Sequence, residues 1–219
     1  MILLHGMILR VKIGVVLSSI KDIWDQEGLV VVDDVMPEEI LYQIRGYGHC
    51  TEPDDNVSYK GGYKQIYWEG ESGFPIKELS ELNVNLYDIF SPILDTLQFN
   101  RAWYFIHNNE CPGVTPHADQ ASVNINMWLT PDYSVKNKNK NGLCVWDVKP
   151  PEDWSFHDFN KDEPKISNYL RDSGAKKRNI EYKCNRAIMF QSSFFHETNG
   201  VSMRRGYWNR RLNLTYLYT

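Results

Sequence analysis

The pattern of apolar and polar positions changes character partway along the chain. Residues 77–97 place Leu79, Leu82, Leu86, Ile89, Phe90, Ile93, Leu94 and Leu97 at the spacing that lines one face of a helix. Pro92 lacks a backbone N–H and is predicted to break that run into two helices. Ser18 or Ser19 is placed to cap a short helix ending near Gln26. Residues 28–34 are entered through Gly28 and rich in valine, which reads as a strand. Pro37, Glu38 and Glu39 open a helix, with the acids at the positive end of its dipole, that ends near Gly46. Residues 47–62 read as a polar loop and residues 63–68 as a strand.

From residue 99 the pattern is that of strands. Residues 99–107 are aromatic and β-branched. Residues 122–130 alternate, with Val123, Ile125, Met127 and Leu129 facing one way and Asn124, Asn126, Trp128 and Thr130 the other. Further strands are expected at 143–148, after the turn dipeptide Asn141-Gly142, and at 180–183, 186–191 and 211–218. Short strands separated by turns predict a mainly β fold, a sandwich or barrel, with flanking helices. The expected organisation is one domain over 1–219. A helical and strand scaffold covers 1–98, and a β core covers 99–219 with an insertion at 132–182. No glycine-rich phosphate loop and no internal repeat is present. Residues 136–141 alternate Lys and Asn and read as a solvated loop, and residues 150–177 as a long irregular segment.

Composition narrows the function. A chain of 219 residues, 42% hydrophobic, is long enough for a substantial core. The net charge of −4 makes nucleic acid an unlikely partner, since the arginines at 204, 205, 210 and 211 form only a local cluster. Cys50, Cys111, Cys144 and Cys184 form no CxxC pair and read as free thiols in a reducing compartment. The apolar start is interrupted by His5, Arg10 and Lys12, which argues against a membrane span or a signal peptide. Residues 1–7 read as a ragged start, and the expected location is cytoplasmic with no membrane partner.

The candidate chemistry rests on His117, Asp119 and His196. Two histidines and a carboxylate form a facial triad for a metal such as Fe(II). Residues i and i+2 of an extended segment point the same way, so His117 and Asp119 can converge on one ion at a strand mouth. His196 is expected at the end of another strand. An HxD pair alone arises often by chance; His5, His49, His107 and His157 are assigned to surface or core. His157 and Asp158, being adjacent, would face oppositely on a strand. Arg211 opens the last strand, where it shares a face with Asn213, Thr215 and Leu217. Pointing inward it needs an anionic guest, because an unpaired buried charge is costly; at the strand end it would instead lie in solvent, as is expected for Arg210. Asn124, Asn126 and Trp128 share a face that either lines a pocket or looks outward.

These residues together resemble the Fe(II)/2-oxoglutarate-dependent dioxygenase superfamily, including its prolyl-hydroxylase-like and phytanoyl-hydroxylase-like members. The stretches that carry the resemblance are His117 to Asp119, Asn124 to Asp132, Gly142-Leu143, Asp153 to Phe156, Asn185 to Ala187, Phe195 to Thr198 and Gly206 to Thr215. The closest likeness is to stand-alone bacterial and phage-type oxygenases. The resemblance implies a double-stranded β-helix, a jelly roll of cupin type. It implies Fe(II) on His117, Asp119 and His196, with 2-oxoglutarate on the metal, its far carboxylate on Arg211, and O2 as co-reactant. The implied reaction is hydroxylation of a C–H bond of a small molecule or peptide, with release of succinate and CO2. A carboxylate at 119 favours hydroxylation over halogenation. The arginine lies fifteen positions after His196, farther than in the families resembled, while Arg205 lies nine after it. Arg211 is preferred because it opens a strand, and Arg210 is the second choice. Asn213, Asn124, Asn126 and Trp128 are the further cofactor-pocket candidates. Two other readings stay open: a cupin-like metal enzyme that does not use 2-oxoglutarate, and a non-catalytic jelly-roll binding module. The insertion at 132–182, with Trp146, Trp154, Phe156, Phe159 and Tyr169, either covers the mouth or packs outside the barrel.

Overall fold

The computed structural model describes residues 9–10, 17–51, 62–70, 73–137 and 140–219. In chain order the elements are β1 (Leu9–Arg10), α1 (Leu17–Glu27), β2 (Leu29–Asp33), α2 (Glu38–Cys50), β3 (Tyr63–Glu69), α3 (Lys77–Leu94), β4 (Phe99–His107), β5 (Glu110–Cys111), β6 (Val123–Trp128) and β7 (Leu143–Trp146). There follow α4 (Phe156–Asn160), α5 (Glu163–Asp172), β8 (Lys177–Ile180), β9 (Arg186–Gln191), β10 (His196–Thr198), β11 (Val201–Ser202) and β12 (Arg211–Tyr218). A large sheet has the order β1-β2-β9-β6-β12-β4-β3, a second has β10-β7-β8, and β11 pairs with β5. All of these pairings are antiparallel except β1 with β2. This is the expected mainly β jelly roll with flanking helices.

The alternation in β6 and β12 decides the layers. Val123, Ile125, Met127, Leu212, Leu214, Tyr216 and Tyr218 face outward into a core shared with Ile44 of α2 and Leu79, Leu82, Leu86, Phe90 and Leu94 of α3. The opposite face looks into the roll, where Trp128, Ile188 and Phe190 meet Leu143 and Val145 of the second sheet. Cross-strand register places four transverse rows on that inner face. Tyr63, His107 and Arg211 form the first row; Gln65, Phe105, Asn213 and Trp128 the second. Tyr67, Trp103, Thr215 and Asn126 form the third; Glu69, Arg101, Leu217 and Asn124 the fourth.

Several expectations are corrected. The helix predicted to end at Gly46 continues to Cys50. It passes so close to the sheet at Gly48 that a Cβ there would lie 2.1 Å from the Tyr104 hydroxyl oxygen; the glycine serves packing and does not end the helix. The first helix begins at Leu17, so Ser18 and Ser19 lie within its first turn. The expected break near Pro92 is present, in that two helical segments meet at a kink within α3, but the non-helical backbone falls at Phe90 (φ −109°, ψ 18°), two residues before the proline. Residues 47–50 of the expected loop are helical, and 52–61 lie outside the described residues. The strand expected at 180–183 is displaced to Lys177–Ile180, where β7 supplies its hydrogen-bonding partner.

The segment 150–177 is not irregular. It holds α4 and α5, whose N-terminal N–H groups are satisfied by a capping box between Ser155 and Asp158 and by the Asp162 side chain. Asn141 is not solvated: its buried side-chain oxygen accepts from the Ser202 N–H at 2.7 Å, and its amide donates to the Ser202 carbonyl at 3.1 Å. All four cysteines are free thiols, as expected. Among the described residues no helix is long and apolar enough to cross a membrane.

Candidate metal centre

His117 and His196 are brought together by their own backbones. The His117 N–H donates to the His196 carbonyl at 3.0 Å, and the His196 N–H donates to the His117 carbonyl at 2.8 Å. This places His196 at the start of β10 in the second sheet, not at the end of β9, because a turn over residues 192–195 separates the two strands. The Asp119 N–H donates to the Ser192 carbonyl at 3.0 Å, tying the carboxylate's backbone to that same turn.

The donor atoms then converge. The candidate ligand atoms of His117, Asp119 and His196 lie within 4.8 Å of one another. Nε2 of His196 is 3.4 Å from one Asp119 oxygen, and Nε2 of His117 is 3.9 Å from the other. Nδ1 of His117 lies 2.8 Å from the Thr115 carbonyl, and Nδ1 of His196 lies 3.0 Å from the Phe194 carbonyl. A carbonyl only accepts, so both Nδ1 atoms carry hydrogen and both Nε2 lone pairs face the centre, as metal-ligating histidines require. Burial, and then the neighbouring His196, push the His117 imidazole down to about 4, which keeps it neutral and able to ligate. Burial raises the Asp119 pKa, but its neighbours His196, His117 and Asn124, the last of which donates a hydrogen bond to it, outweigh burial and hold the group below its ordinary value.

Behind the triad runs a buried polar chain. The Asn124 amide donates to Asp119 Oδ2 at 2.9 Å, and the Asn126 amide donates to Asn124 Oδ1 at 2.6 Å. Asn126 Oδ1 in turn accepts from the Asn213 amide at 3.1 Å and from the Thr215 hydroxyl at 3.0 Å. Asn124, Asn126 and Asn213 therefore line the interior; the alternative, an outward polar face, is excluded. Thr215 belongs with them, and its place on the Arg211 face was the signal for it. Trp128 lies behind this lining, its ring stacked 5.0 Å from Tyr182 with the Arg211 guanidinium 5.8 Å away.

Arg211 is buried beside the first row. Its Nε donates to the Asn141 carbonyl at 3.0 Å, and its Nη1 has no partner among the described residues. Burial pushes its pKa down to about 10, and none of the groups acting on it is a carboxylate. Arg210 points away, its guanidinium 3.9 Å above the Tyr207 ring and its Nε donating to the Tyr207 carbonyl. Arg205 is exposed.

A cavity of about 610 Å³ opens over the triad. One wall is the amide chain; the other carries Trp103, Phe105, His107 and Tyr63. The insertion does both things left open for it. Phe156, Asn160 and Lys161 line the mouth, while Trp146, Trp154, Phe159 and Tyr169 form a small core with Ala118 and Phe195. His157, Asp158 and Asp162 approach one another on the exposed side, contrary to the strand-based expectation, because α4 is a helix. Asp158 is already engaged there by Ser155 and Lys165.

No protein-family model and no curated protein matches the chain. Solved structures do. The non-haem α-ketoglutarate-dependent epimerase SnoN from nogalamycin biosynthesis has a TM-score of 0.66 at 10% identity, covering 90% of this chain and 80% of that one. HygX from Streptomyces hygroscopicus, with nickel and 2-oxoglutarate bound, has a TM-score of 0.61 at 12% identity, covering 93% and 87%. A Pseudomonas putida prolyl-4-hydroxylase has a TM-score of 0.60 at 12% identity, covering 93% and 98%. At these identities the likeness shows the fold: the chain has the jelly roll of the Fe(II)/2-oxoglutarate-dependent oxygenases.

Proposed function

We propose that the chain is an Fe(II)- and 2-oxoglutarate-dependent oxygenase that hydroxylates a C–H bond of a small molecule or peptide. The observation that carries this reading is a two-histidine, one-carboxylate cluster on the same inner surface as a buried arginine that has no anionic partner among the described residues. Both halves fit the cofactors. The nitrogen, nitrogen and oxygen donors suit non-haem Fe(II) and leave coordination positions open. The partnerless Nη1 of Arg211 fits one carboxylate oxygen, and a planar guanidinium is the side chain best shaped for that group. His117, Asp119 and His196 would hold the metal, and Arg211 the far carboxylate of 2-oxoglutarate. A cupin-like enzyme without that cosubstrate leaves the charge on Arg211 unexplained.

When bound, iron with 2-oxoglutarate supplies the oxidising chemistry that breaks an unactivated C–H bond, with succinate, CO2 and consumption of O2. The chain's own residues do the orienting. The Thr115 and Phe194 carbonyls fix both imidazoles in one tautomer. Asn124 fixes the rotation of the Asp119 carboxylate, and a carboxylate at that position occupies the site a halide would need. The aromatic wall gives the cavity an apolar side against which a substrate would be oriented.

Protein reconstituted anaerobically with Fe(II) and then given 2-oxoglutarate and O2 is expected to form succinate slowly. His117→Ala and Asp119→Ala are expected to abolish this, and persistence in both would overturn the assignment. Because SnoN is an epimerase on the same fold, the hydroxylase reading is tested separately by mass: the product must gain one oxygen. A product of unchanged mass overturns hydroxylation while leaving the cofactor assignment standing.

A further inference from the structure

The charges lining the cavity do not cancel once its core is filled. On the cofactor reading above, a divalent metal with Arg211 balances Asp119 with a dianionic cosubstrate, and imidazole ligands on a metal add no charge. Arg101 and Lys161 also line this cavity, and Asp119 is the only carboxylate among the described residues that does; Glu69, in the row of Arg101, lies outside the lining. Among the described residues two cations are therefore in surplus at the mouth. Lys161 has no carboxylate within salt-bridge distance among the described residues; its ammonium lies 5.7 Å from the centre of the Phe156 ring. Arg101 meets Glu69 only at 4.0 Å, on the exposed side, where such a pair contributes little.

Both cations are level with the metal end. Arg101 stands in the fourth row with Leu217 and Asn124, and Asn124 donates to the candidate ligand Asp119. Lys161 follows Asn160, whose amide donates to the Ala118 carbonyl at 2.8 Å, while the Ala118 N–H donates to the Phe159 carbonyl at 2.9 Å. The end of α4 is thus latched to the peptide between His117 and Asp119, so Lys161 is placed by the ligand loop itself. Between the two cations and the cavity floor lies the aromatic wall, with Trp103 and Phe105 rings 6.5 Å apart, and Phe105 and Tyr63 5.6 Å apart. A cavity of about 610 Å³ that also holds the cosubstrate leaves room for a small molecule.

We infer that the prime substrate is a small anionic molecule with a flat apolar body. Its carboxylate, sulfate or phosphate is held by Lys161 and Arg101 at the mouth, and its body lies against Trp103 and Phe105. The inference rests on the proposed function and deepens it.

The test uses protein loaded anaerobically with Fe(II) and saturating 2-oxoglutarate, so that Arg211 is occupied. Phenylacetate, benzenesulfonate and phenylphosphate are compared by calorimetric titration with neutral phenylacetamide and cationic phenethylamine. At least one anion is expected to bind about tenfold more tightly than the amide, a ratio worth about 1.4 kcal/mol. Which anion leads identifies the substrate's acidic group. Lys161→Gln and Arg101→Gln are each expected to shrink the ratio about threefold, and the double variant to remove it. Binding of the amide or amine as tightly as the anions, retention of the preference in the double variant, or no binding of any anion at millimolar concentration would overturn the inference. The visible absorption band of the Fe(II)–2-oxoglutarate complex is recorded in every sample. Its absence from the wild-type protein would count against the cofactor reading instead, so the two failures are separately visible.

Discussion

Two buried arginines of the large sheet, Arg186 and Arg211, are treated in opposite ways. Arg186, 3% exposed, donates to Asp33 at 2.6 and 3.2 Å and to the Glu181 carbonyl at 2.8 Å. Lys183 closes on the same carboxylate at 2.9 Å. Arg211, 1% exposed, has one backbone carbonyl and, among the described residues, no carboxylate. The first is complete within the chain and joins β2 to β9. The second is left, among the described residues, with unmet hydrogen-bonding capacity at Nη1. A buried charge lacking its counter-ion costs stability, so its retention in a well-packed interior points to binding.

The contrast can be broken at either end. Asp33→Asn leaves Arg186 buried without its counter-ion and is expected to cost about 3–5 kcal/mol in urea unfolding. Burial raises the Asp33 pKa, but Arg186 and Lys183 outweigh it and lower it on balance. Its contribution is therefore full above the unfolded carboxylate value of about 3.9 and is lost as pH falls through the lower folded value. Wild-type stability should drop over that acid window, and Asp33→Asn should flatten the drop; an unchanged acid limb would show the pair to be unimportant.

At the other end, 2-oxoglutarate at about a hundred times its Kd should stabilise metal-loaded protein by about 2.7 kcal/mol. Arg211→Met should lose most of that shift, whereas Asp33→Asn should keep it. An equal shift in Arg211→Met and wild type, measured by thermal denaturation, would return the cosubstrate role to another arginine. Asn124→Ala should weaken metal binding about 10–100-fold, as loss of a partner of a ligating carboxylate does, read by competition with a chelating dye. The smallest effect is expected without any ligand: Arg211→Met should be more stable than wild type by on the order of 1 kcal/mol, because an uncompensated charge is gone. A less stable variant would mean that the bond to the Asn141 carbonyl and the packing on Trp128 matter more than desolvation.

Strand parity explains how much of this was legible beforehand. In β12 the side-chain period is two, so naming one inward residue names them all; Arg211, Asn213 and Thr215 follow from the apolar Leu212, Leu214 and Tyr216 between them. The same rule separated Arg211 from Arg210. It failed where the backbone is not a strand. Residues 150–177 contain both helical caps in plain view, Ser155 with Asp158 and Asp162 before Pro164, and α5 carries Ile166, Tyr169 and Leu170 at helical spacing, but so short an apolar stripe does not stand out in a polar, aromatic segment.

The sequence by itself determined which residues face one another's side of a strand, that a two-histidine and carboxylate set exists, and that an arginine accompanies it. These are local properties, set by the pleat and by residue chemistry. Only the tertiary structure decided that His196 opens β10 opposite His117, that Asn124 holds Asp119, that the end of α4 is fastened to the peptide between His117 and Asp119, and that Arg211 has no counter-ion among the described residues. Each of these depends on which sequence-distant backbones hydrogen-bond and in what register. That choice is made by the packing of the whole sheet against its helices.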